Sequence, residues 1–267
     1  MKTDFFHEET ANRLVERLDW VDFPIRRIVE TGAAAGGGAV ALHRRFDQAL
    51  ILALDTDPTT LARLEPQARQ RVMAGCADPQ RLPCPDAAVD LVFANLLLPA
   101  LPDPVPVLRE VRRVLAHPGL FLFSSLGPDS FRELRAAWRR VDDHEHVARF
   151  LDMHDLGDLL IQTGFADPVL ERETLTVTYT DTARMIDDLR ATPGPPPPPG
   201  RRPGLTGRGT WNRFLSACDA RRDADGRFAI TLELIFGQAW CPGTANRPGD
   251  TPGEIEIPLG HVRRGPR

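Results

Sequence analysis

Residues 25–36 read Ile-Arg-Arg-Ile-Val-Glu-Thr-Gly-Ala-Ala-Ala-Gly, a short apolar run that ends in an acidic residue and a glycine-rich turn. The turn opens a stretch whose apolar residues have helical spacing, so a strand is expected to pass directly into a helix. Such a turn lets the backbone approach a ligand closely, and the first N–H groups of the helix point at an anionic group. The stretch therefore predicts a ligand site at the end of a strand.

The same strand–helix unit repeats through residues 25–126. Apolar runs of strand length alternate there with stretches of helical periodicity, which predicts βαβ units and a parallel sheet with helices on both faces. The predicted strands are Ile25–Glu30, Ala49–Leu54, Arg71–Cys76, Val89–Asn95 and Gly119–Ser125, and the predicted helices are Ala39–Phe46, Thr59–Gln70 and Pro104–Leu115.

Beyond residue 126 the alternation changes. Helices are predicted in four places and strands in two, and a run of five prolines lies within 193–200, which is typical of a polyproline-type spacer. The predicted helices are Ser130–Arg140, Met153–Thr163, Thr182–Ala191 and Trp211–Arg222, and the predicted strands are Val169–Tyr179 and Phe228–Trp240.

Composition excludes several classes of function. The net charge is −4, which does not indicate a nucleic-acid-binding protein. No apolar stretch has the length of a membrane span, so a cytoplasmic protein is expected. The four cysteines form no Cys-x-x-Cys pair, and we predict neither a metal site nor a disulfide framework.

Two acidic residues follow the second and third predicted strands. Asp55 lies about 20 positions beyond the glycine turn, where a carboxylate can accept both hydroxyls of a ribose. Asp78 follows the third strand in Ala-Asp-Pro. Either residue alone is equally well explained as a helix cap or a turn former. Together with the glycine turn, in order along one alternating sheet, they favour a nucleotide-type ligand.

The spacing of the turn separates two classes of nucleotide site. A dinucleotide turn reads Gly-x-Gly-x-x-Gly, whereas here Gly32-x-Ala34-x-Gly36 follows Glu30. This pattern resembles the E/D-x-G-x-G-x-G motif of class I S-adenosylmethionine-dependent methyltransferases, with Ala34 at the middle glycine. The resemblance implies an α/β Rossmann-like fold: a seven-stranded, mostly parallel sheet with helices on both faces and a C-terminal lid insertion. It also implies S-adenosylmethionine as cofactor.

The family's site can be carried onto this sequence. Its turn passes the methionine moiety, its acid after strand 2 holds the ribose, and its acid after strand 3 holds the adenine amino group. The residue that ends strand 4 lies near the methyl-transfer cleft. The cofactor-binding residues that the resemblance implies are Glu30, Thr31, Gly32, Ala33, Ala34, Gly36, Asp55, Thr56, Asp78, Pro79, Asn95 and Leu96.

Two longer stretches make the resemblance specific to one family of these methyltransferases. Residues 123–130 (Phe-Ser-Ser-Leu-Gly-Pro-Asp-Ser) and 152–158 (Asp-Met-His-Asp-Leu-Gly-Asp) look like the malonyl-[acyl-carrier-protein] O-methyltransferases of biotin synthesis. The implied reaction methylates the free carboxylate of a malonyl thioester, carried by acyl carrier protein or by coenzyme A. The implied organisation is a helical segment at 1–24, a methyltransferase domain at 25–240 with a lid at about 180–225, and a tail at 241–267.

A carboxylate is already a nucleophile at neutral pH, so the site needs a cationic or hydrogen-bonding clamp more than an acid or a base. Asn95, His154 and Arg190 are the expected catalytic residues, and Arg149 is a further candidate by residue type. An alternative hypothesis is a pseudoenzyme or assembly factor with the same fold, or a relative that modifies a protein side chain. Cofactor binding, followed by methyl transfer to a malonyl thioester, separates these hypotheses.

Overall fold

A computed structural model describes residues 5–34, 36–61, 72–191 and 204–242 of the chain. The proline run and the tail beyond residue 242 lie outside the described residues, as does most of the predicted helix Thr59–Gln70. The described helices are α1 Phe5–Glu16, α2 Gly37–Arg45, α3 Pro58–Leu61, α4 Val105–Val114, α5 Arg132–Trp138, α6 Met153–Gln162, α7 Thr182–Ala191 and α8 Arg208–Asp219.

Seven strands form one sheet in the order β3-β2-β1-β4-β5-β7-β6. All neighbouring strands from β3 to β5 pair in parallel, and β7 lies antiparallel between β5 and β6. The predicted mostly parallel, seven-stranded α/β fold is confirmed. The strands are β1 Arg27–Thr31, β2 Leu50–Asp55, β3 Val72–Cys76, β4 Val89–Ala94, β5 Leu115–Leu126, β6 Ala166–Tyr179 and β7 Phe228–Cys241.

Helices cover both faces of the sheet. Every residue of β4 is buried, as expected of a central parallel strand. On one face, α1, α2, α5 and α8 pack against alternate residues of β4 and β5 such as Phe93 and Leu122. On the other face, α4 and α6 pack against Val92 and Phe121. None of the helices in the described ranges is long and apolar enough to cross a membrane.

Several predicted boundaries are wrong by a few residues; β6, for instance, begins at Ala166 rather than Val169. The fifth strand begins at Leu115 rather than Gly119, because Leu115 already pairs with Val89 of β4. The helix predicted from Ser130 begins at Arg132, since Phe131 has a φ of 62° and leaves the helical region. The helix predicted from Trp211 begins three residues earlier, where Arg208, Gly and Thr give no apolar signal.

The antiparallel pair formed by β6 and β7 extends past the carboxyl end of the parallel strands. Leu126, the last residue of β5, pairs with Leu234, while β6–β7 pairing continues to Tyr179 and Phe228. This extension is about 20 Å long. The helices α5 and α8 pack beside it, with Trp138 stacked on Phe214 at 4.2 Å between ring centroids. We call α5, α7, α8 and the extended part of the β6–β7 pair the cap; α7 and α8 are the described helices of the segment expected to be a lid.

Candidate active site

The glycine turn after β1 has the backbone that its glycines predict. Gly32 and Gly36 have φ values of 70° and 77°, the left-handed region in which glycine is unstrained. A Cβ on Gly32 would also lie 3.0 Å from Leu97 Cδ1. Ala34 has a φ of 45°, so this residue has a left-handed backbone without the freedom of glycine.

The end of β2 is hydrogen-bonded to this turn. The Ala34 amide donates to Asp55 Oδ2 at 2.8 Å, and the Ala33 amide donates to the Leu54 carbonyl at 3.0 Å. Asp55 Oδ1 accepts from the amide of Asp57 at 2.9 Å. Each carboxylate oxygen keeps accepting capacity for a further donor. The structure therefore brings the predicted ribose acceptor and the predicted turn into direct contact.

Glu30 lies beneath the turn and is 1% exposed. Its carboxyl group accepts a hydrogen bond from the Ala39 amide in the first turn of α2. A Cβ on Gly38 would collide with Glu30 Oε1 and lie 2.8 Å from Phe93, so glycine is required there. Glu30 Oε2 has no hydrogen-bond partner among the described residues. Burial raises the pKa of Glu30 to about 8; the Ala39 hydrogen bond opposes this rise, and the charge of Asp55 adds to it.

Asp78 lies at the same edge of the sheet, two strands from β1, and is exposed. Its Oδ1 accepts from the Gln80 amide at 2.8 Å, and its backbone bridges to Arg81. Pro79 is buried behind it, whereas Thr56, after Asp55, is exposed. The carboxyl ends of β1, β2 and β3 thus present three acidic side chains along one edge: Glu30 buried, Asp55 half-buried and Asp78 exposed.

Asn95 follows β4 and is buried, with both ends of its amide bonded to the protein. Nδ2 donates to the His7 carbonyl of α1 at 2.9 Å, and Oδ1 accepts from Ser124 Oγ of β5 at 2.8 Å. Ser124 Oγ in turn accepts from the Leu96 amide at 2.9 Å. Asn95 therefore joins α1, β4 and β5 next to the glycine turn. Oδ1 keeps a second acceptor site beside the bond from Ser124, so these bonds do not exhaust the amide.

The other predicted catalytic residues lie apart from this group. His154, in the first turn of α6, has an 85% exposed side chain, and Arg190 lies on α7 with its guanidinium 6.0 Å from the Trp211 ring centroid. Arg149 is exposed and forms an ion pair with Glu145. No hydrogen bond or ion pair within the described ranges links any of the three to the acidic edge.

Sequence reasoning missed Arg135 of α5. Its guanidinium donates to the carbonyls of Pro128 at 2.9 Å and Ala148 at 3.1 Å, and it forms no ion pair with a described residue. Burial is the main cause that lowers the pKa of Arg135, and the charge of Arg139 lowers it further, whereas the charges of Asp129 and Glu145 oppose this. The stretch Glu-Leu-Arg in α5 gave no periodic signal that separates this arginine from a solvated one.

A buried glutamate holds the turn on which Arg135 rests. Glu233 of β7 is buried, and its Oε2 accepts from the Asp129 amide at 2.7 Å. Its backbone carbonyl and amide bond to Ser130 Oγ at 3.1 and 2.9 Å. A Cβ on Gly127 would lie 2.5 Å from Glu233 Cδ, so this turn requires glycine. The Gly-Pro-Asp-Ser stretch is thus a rigid support between β5 and the cap.

Metal chemistry has no evident ligand set here. In the part of the chain that the structure describes, no group of three or more His, Cys, Asp or Glu side chains is arranged to hold a metal ion. The described cysteines are free, and Cys218 and Cys241 are buried. The acidic edge, the helix N-terminus beside it and Arg135 are therefore the groups on which a chemical interpretation rests.

Comparisons with known proteins identify relatives of this chain. A methyltransferase-domain family matches residues 29–123. The malonyl-[acyl-carrier protein] O-methyltransferase of Halorhodospira halophila is 38% identical over 259 residues, covering 96% of this chain and 88% of the relative. The enzyme of that name from Laribacter hongkongensis is 37% identical over 249 residues, covering 90% and 84%.

Solved structures share the fold at low sequence identity. The YcgJ protein of Bacillus subtilis matches with a TM-score of 0.62 at 16% identity, covering 90% of this chain and all of that one. Phosphoethanolamine N-methyltransferase 2 of Haemonchus contortus, solved with S-adenosyl-L-methionine, matches with a TM-score of 0.55 at 15% identity, covering 90% and 57%. At these identities the likeness concerns the fold alone.

Proposed function

Since this chain belongs to the malonyl-[acyl-carrier protein] O-methyltransferase family, we propose that it methylates the free carboxylate of a malonyl thioester, using S-adenosylmethionine, at the start of pimelate synthesis for biotin. The observation that carries the proposal is the contact between the Ala34 amide and Asp55, directly above the buried Glu30. A strand–turn–helix with acids on two adjacent strand ends is suited to a nucleoside that carries a cationic amino acid.

The residues present fit S-adenosylmethionine. The unpartnered Oε2 of Glu30 is a buried acceptor that lacks a donor within the described residues, and the methionine part of the cofactor carries an ammonium group. Asp55 retains acceptor sites for two hydroxyl donors, and the exposed Asp78 can accept from an amino group. The cofactor supplies a sulfonium-bound methyl group that is already activated for transfer.

The chain's own task is to hold the acceptor carboxylate in line with that methyl group. The carboxylate is ionised at neutral pH, so proton abstraction is unnecessary and orientation provides the rate gain. Among the cationic candidates, the geometry favours Arg135. Arg149 is already paired with Glu145, and Arg190 lies over Trp211. Arg135 is half-buried and donates to the neutral carbonyls of Pro128 and Ala148, so no carboxylate of a described residue is hydrogen-bonded to its guanidinium.

His154 and Asn95 have different places in the proposal. His154 begins α6, and Asp152 caps that helix by accepting from the amides of His154 and Asp155. The exposed imidazole ring of His154 can reach a substrate only from the solvent side. Asn95 acts by position: it holds α1 across the end of β4 through the His7 carbonyl. The proposed contribution of Asn95 is therefore to close the cofactor cleft. Arg190, on α7, is proposed to add positive charge on the cap side of the site.

We propose an acyl carrier protein rather than coenzyme A as the carrier. Arg139 and Arg140, at the end of α5, are exposed and form no ion pair with a described residue. They lie one turn from Arg135, so an acidic carrier that docks on them would deliver its malonyl group towards that guanidinium. Complementary charge of this kind mainly raises the association rate.

The test is methyl transfer from labelled S-adenosylmethionine to three acceptors. Malonyl carrier protein should take up base-labile label, malonyl-coenzyme A should do so with a lower kcat/KM, and acetyl carrier protein, which has no free carboxylate, should take up none. Label in all three, or cofactor binding without label in either malonyl thioester, would contradict the proposed acceptor. Absence of cofactor binding would favour the pseudoenzyme hypothesis.

A further inference from the structure

Glu30 is a carboxyl group with one hydrogen bond and an otherwise apolar environment. It is 1% exposed, and Oε2 has no partner among the described residues. An unpaired buried carboxylate is strongly unfavourable, so such a group takes up a proton instead. The rise of its pKa to about 8 follows from burial as the largest cause.

The groups around Glu30 include one negative charge that opposes ionisation and one helix N-terminus that favours it. Asp55 from β2 raises the pKa of Glu30 by its negative charge. On the α1 side, Glu8 packs over Gly37, at 3.5 Å from the position of a Cβ there, and brings no cation. The facing side chain of β4 is the apolar Phe93. On α2, the helix N-terminus favours the ionised form, and His43 lies one turn beyond Ala39.

We propose that Glu30 is protonated in the unliganded protein and releases its proton to solvent when the ammonium-bearing methionine part of the cofactor binds beside it. The inference rests on the proposed function for the identity of that cation. The ammonium supplies the positive charge that the unliganded site lacks, so the ionised carboxylate becomes the favoured form. Cofactor binding is then coupled to the loss of one proton from the protein.

The sign of the coupling follows from linkage. Below the pKa of about 8, the free protein carries the proton and the complex does not, so apparent affinity rises with pH. At pH 7 the free site is about 0.9 protonated, and at pH 9 about 0.1. The release of a proton from Glu30 should therefore be close to one per cofactor at pH 7 and should nearly disappear at pH 9.

The experiment is titration calorimetry of the full chain with S-adenosylmethionine in buffers of different ionisation enthalpy. The dependence of the observed enthalpy on the buffer gives the protons exchanged. Glu30→Gln keeps the shape of the side chain but cannot ionise, so its exchange at pH 7 should be lower than that of the wild type by about 0.9 proton. The difference between the two proteins removes the proton that the amino group of the cofactor itself takes up.

A second ligand tests whether the ammonium group of the cofactor causes the proton release. 5′-Methylthioadenosine has the nucleoside without the amino acid, so it should bind without releasing a proton from Glu30. Equal release with both ligands, or no release from the wild type with S-adenosylmethionine at pH 7, would overturn the inference. If Glu30→Gln does not fold, the proton uptake of the cofactor's amino group is calculated from its pKa in free solution and subtracted from the wild-type exchange. Absence of any cofactor binding would instead refute the proposed function, and the inference with it.

Discussion

Replacing Ala34 by glycine should stabilise the protein and leave cofactor binding intact or stronger. Ala34 has a φ of 45°, which places its Cβ in the crowded left-handed region. Its amide is fixed by Asp55 at 2.8 Å, so the backbone cannot relax without loss of that bond. A glycine at this position keeps the bond and removes the crowding.

The expected change in the free energy of unfolding is the difference between two effects. A left-handed alanine costs roughly 1–2 kcal/mol, whereas glycine gives the unfolded chain extra freedom worth about 0.4–1 kcal/mol. The net gain in the free energy of unfolding is therefore about 0.8 kcal/mol. For a protein of this size that corresponds to a rise in Tm of roughly 2–3 °C.

Ala87 provides the matched control. It has a φ of 52° and its amide is likewise bonded, to the Arg113 carbonyl at 2.9 Å, but it lies in the loop before β4, away from the glycine turn. Thermal and urea unfolding should show similar gains for Ala34→Gly and Ala87→Gly. Calorimetry with S-adenosylmethionine should show equal or tighter binding for the first variant and unchanged binding for the second.

Two outcomes would contradict this expectation for Ala34→Gly. If Ala34→Gly loses stability while Ala87→Gly gains it, the turn is not held in the left-handed conformation by its hydrogen bond. If Ala34→Gly binds the cofactor more weakly by a factor of ten, the methyl group of Ala34 is part of the binding surface. Either result would refute the claim that Ala34 is strained in a turn that glycine would fit better.

Further substitutions test the acidic edge, the support turn and the proposed clamp. Asp55→Ala should weaken S-adenosylmethionine binding by about 2 kcal/mol, roughly 30-fold in Kd, through loss of a charged acceptor; unchanged affinity in calorimetry would exclude Asp55 from the site. Gly127→Ala should lower the free energy of unfolding by roughly 1–3 kcal/mol, because its Cβ would lie 2.5 Å from Glu233 Cδ; urea unfolding with no loss would contradict the packing. Arg135→Gln should raise KM for the malonyl thioester and lower kcat, while the exposed Arg132→Gln on the same helix should change neither; equal effects would mean that Arg135 only supports the loop.

The strands and the glycine turn could be predicted from sequence because their signals are local. A parallel strand covered on both faces must be apolar at nearly every position, and β4 meets this rule from Val89 to Ala94. A left-handed turn selects glycine at Gly32 and Gly36. Asp55 was predictable too, because its distance from the turn follows from the length of one βαβ unit.

The order of the last strands needed pairing information. Residues 166–241 contain β6 and β7, and periodicity predicts both, but it cannot tell that β7 lies between β5 and β6. Helix boundaries at Arg132 and Arg208 were missed for a similar reason. Contacts such as the Thr231 bonds to Glu133 decide where α5 lies, and those residues are 98 positions apart.

The features of the site likewise fall into those that sequence predicts and those that depend on tertiary packing. Sequence by itself determined the fold class, the glycine turn and the acids at the strand ends, since each depends on a backbone conformation or a spacing within one unit. Only the tertiary structure decided that Asn95 holds α1, that Glu30 is buried with Oε2 unpartnered among the described residues, and that Arg135 donates to backbone carbonyls rather than to a described carboxylate. These properties depend on which distant segments surround a side chain, and burial and unpaired charge exist only once those segments have packed together.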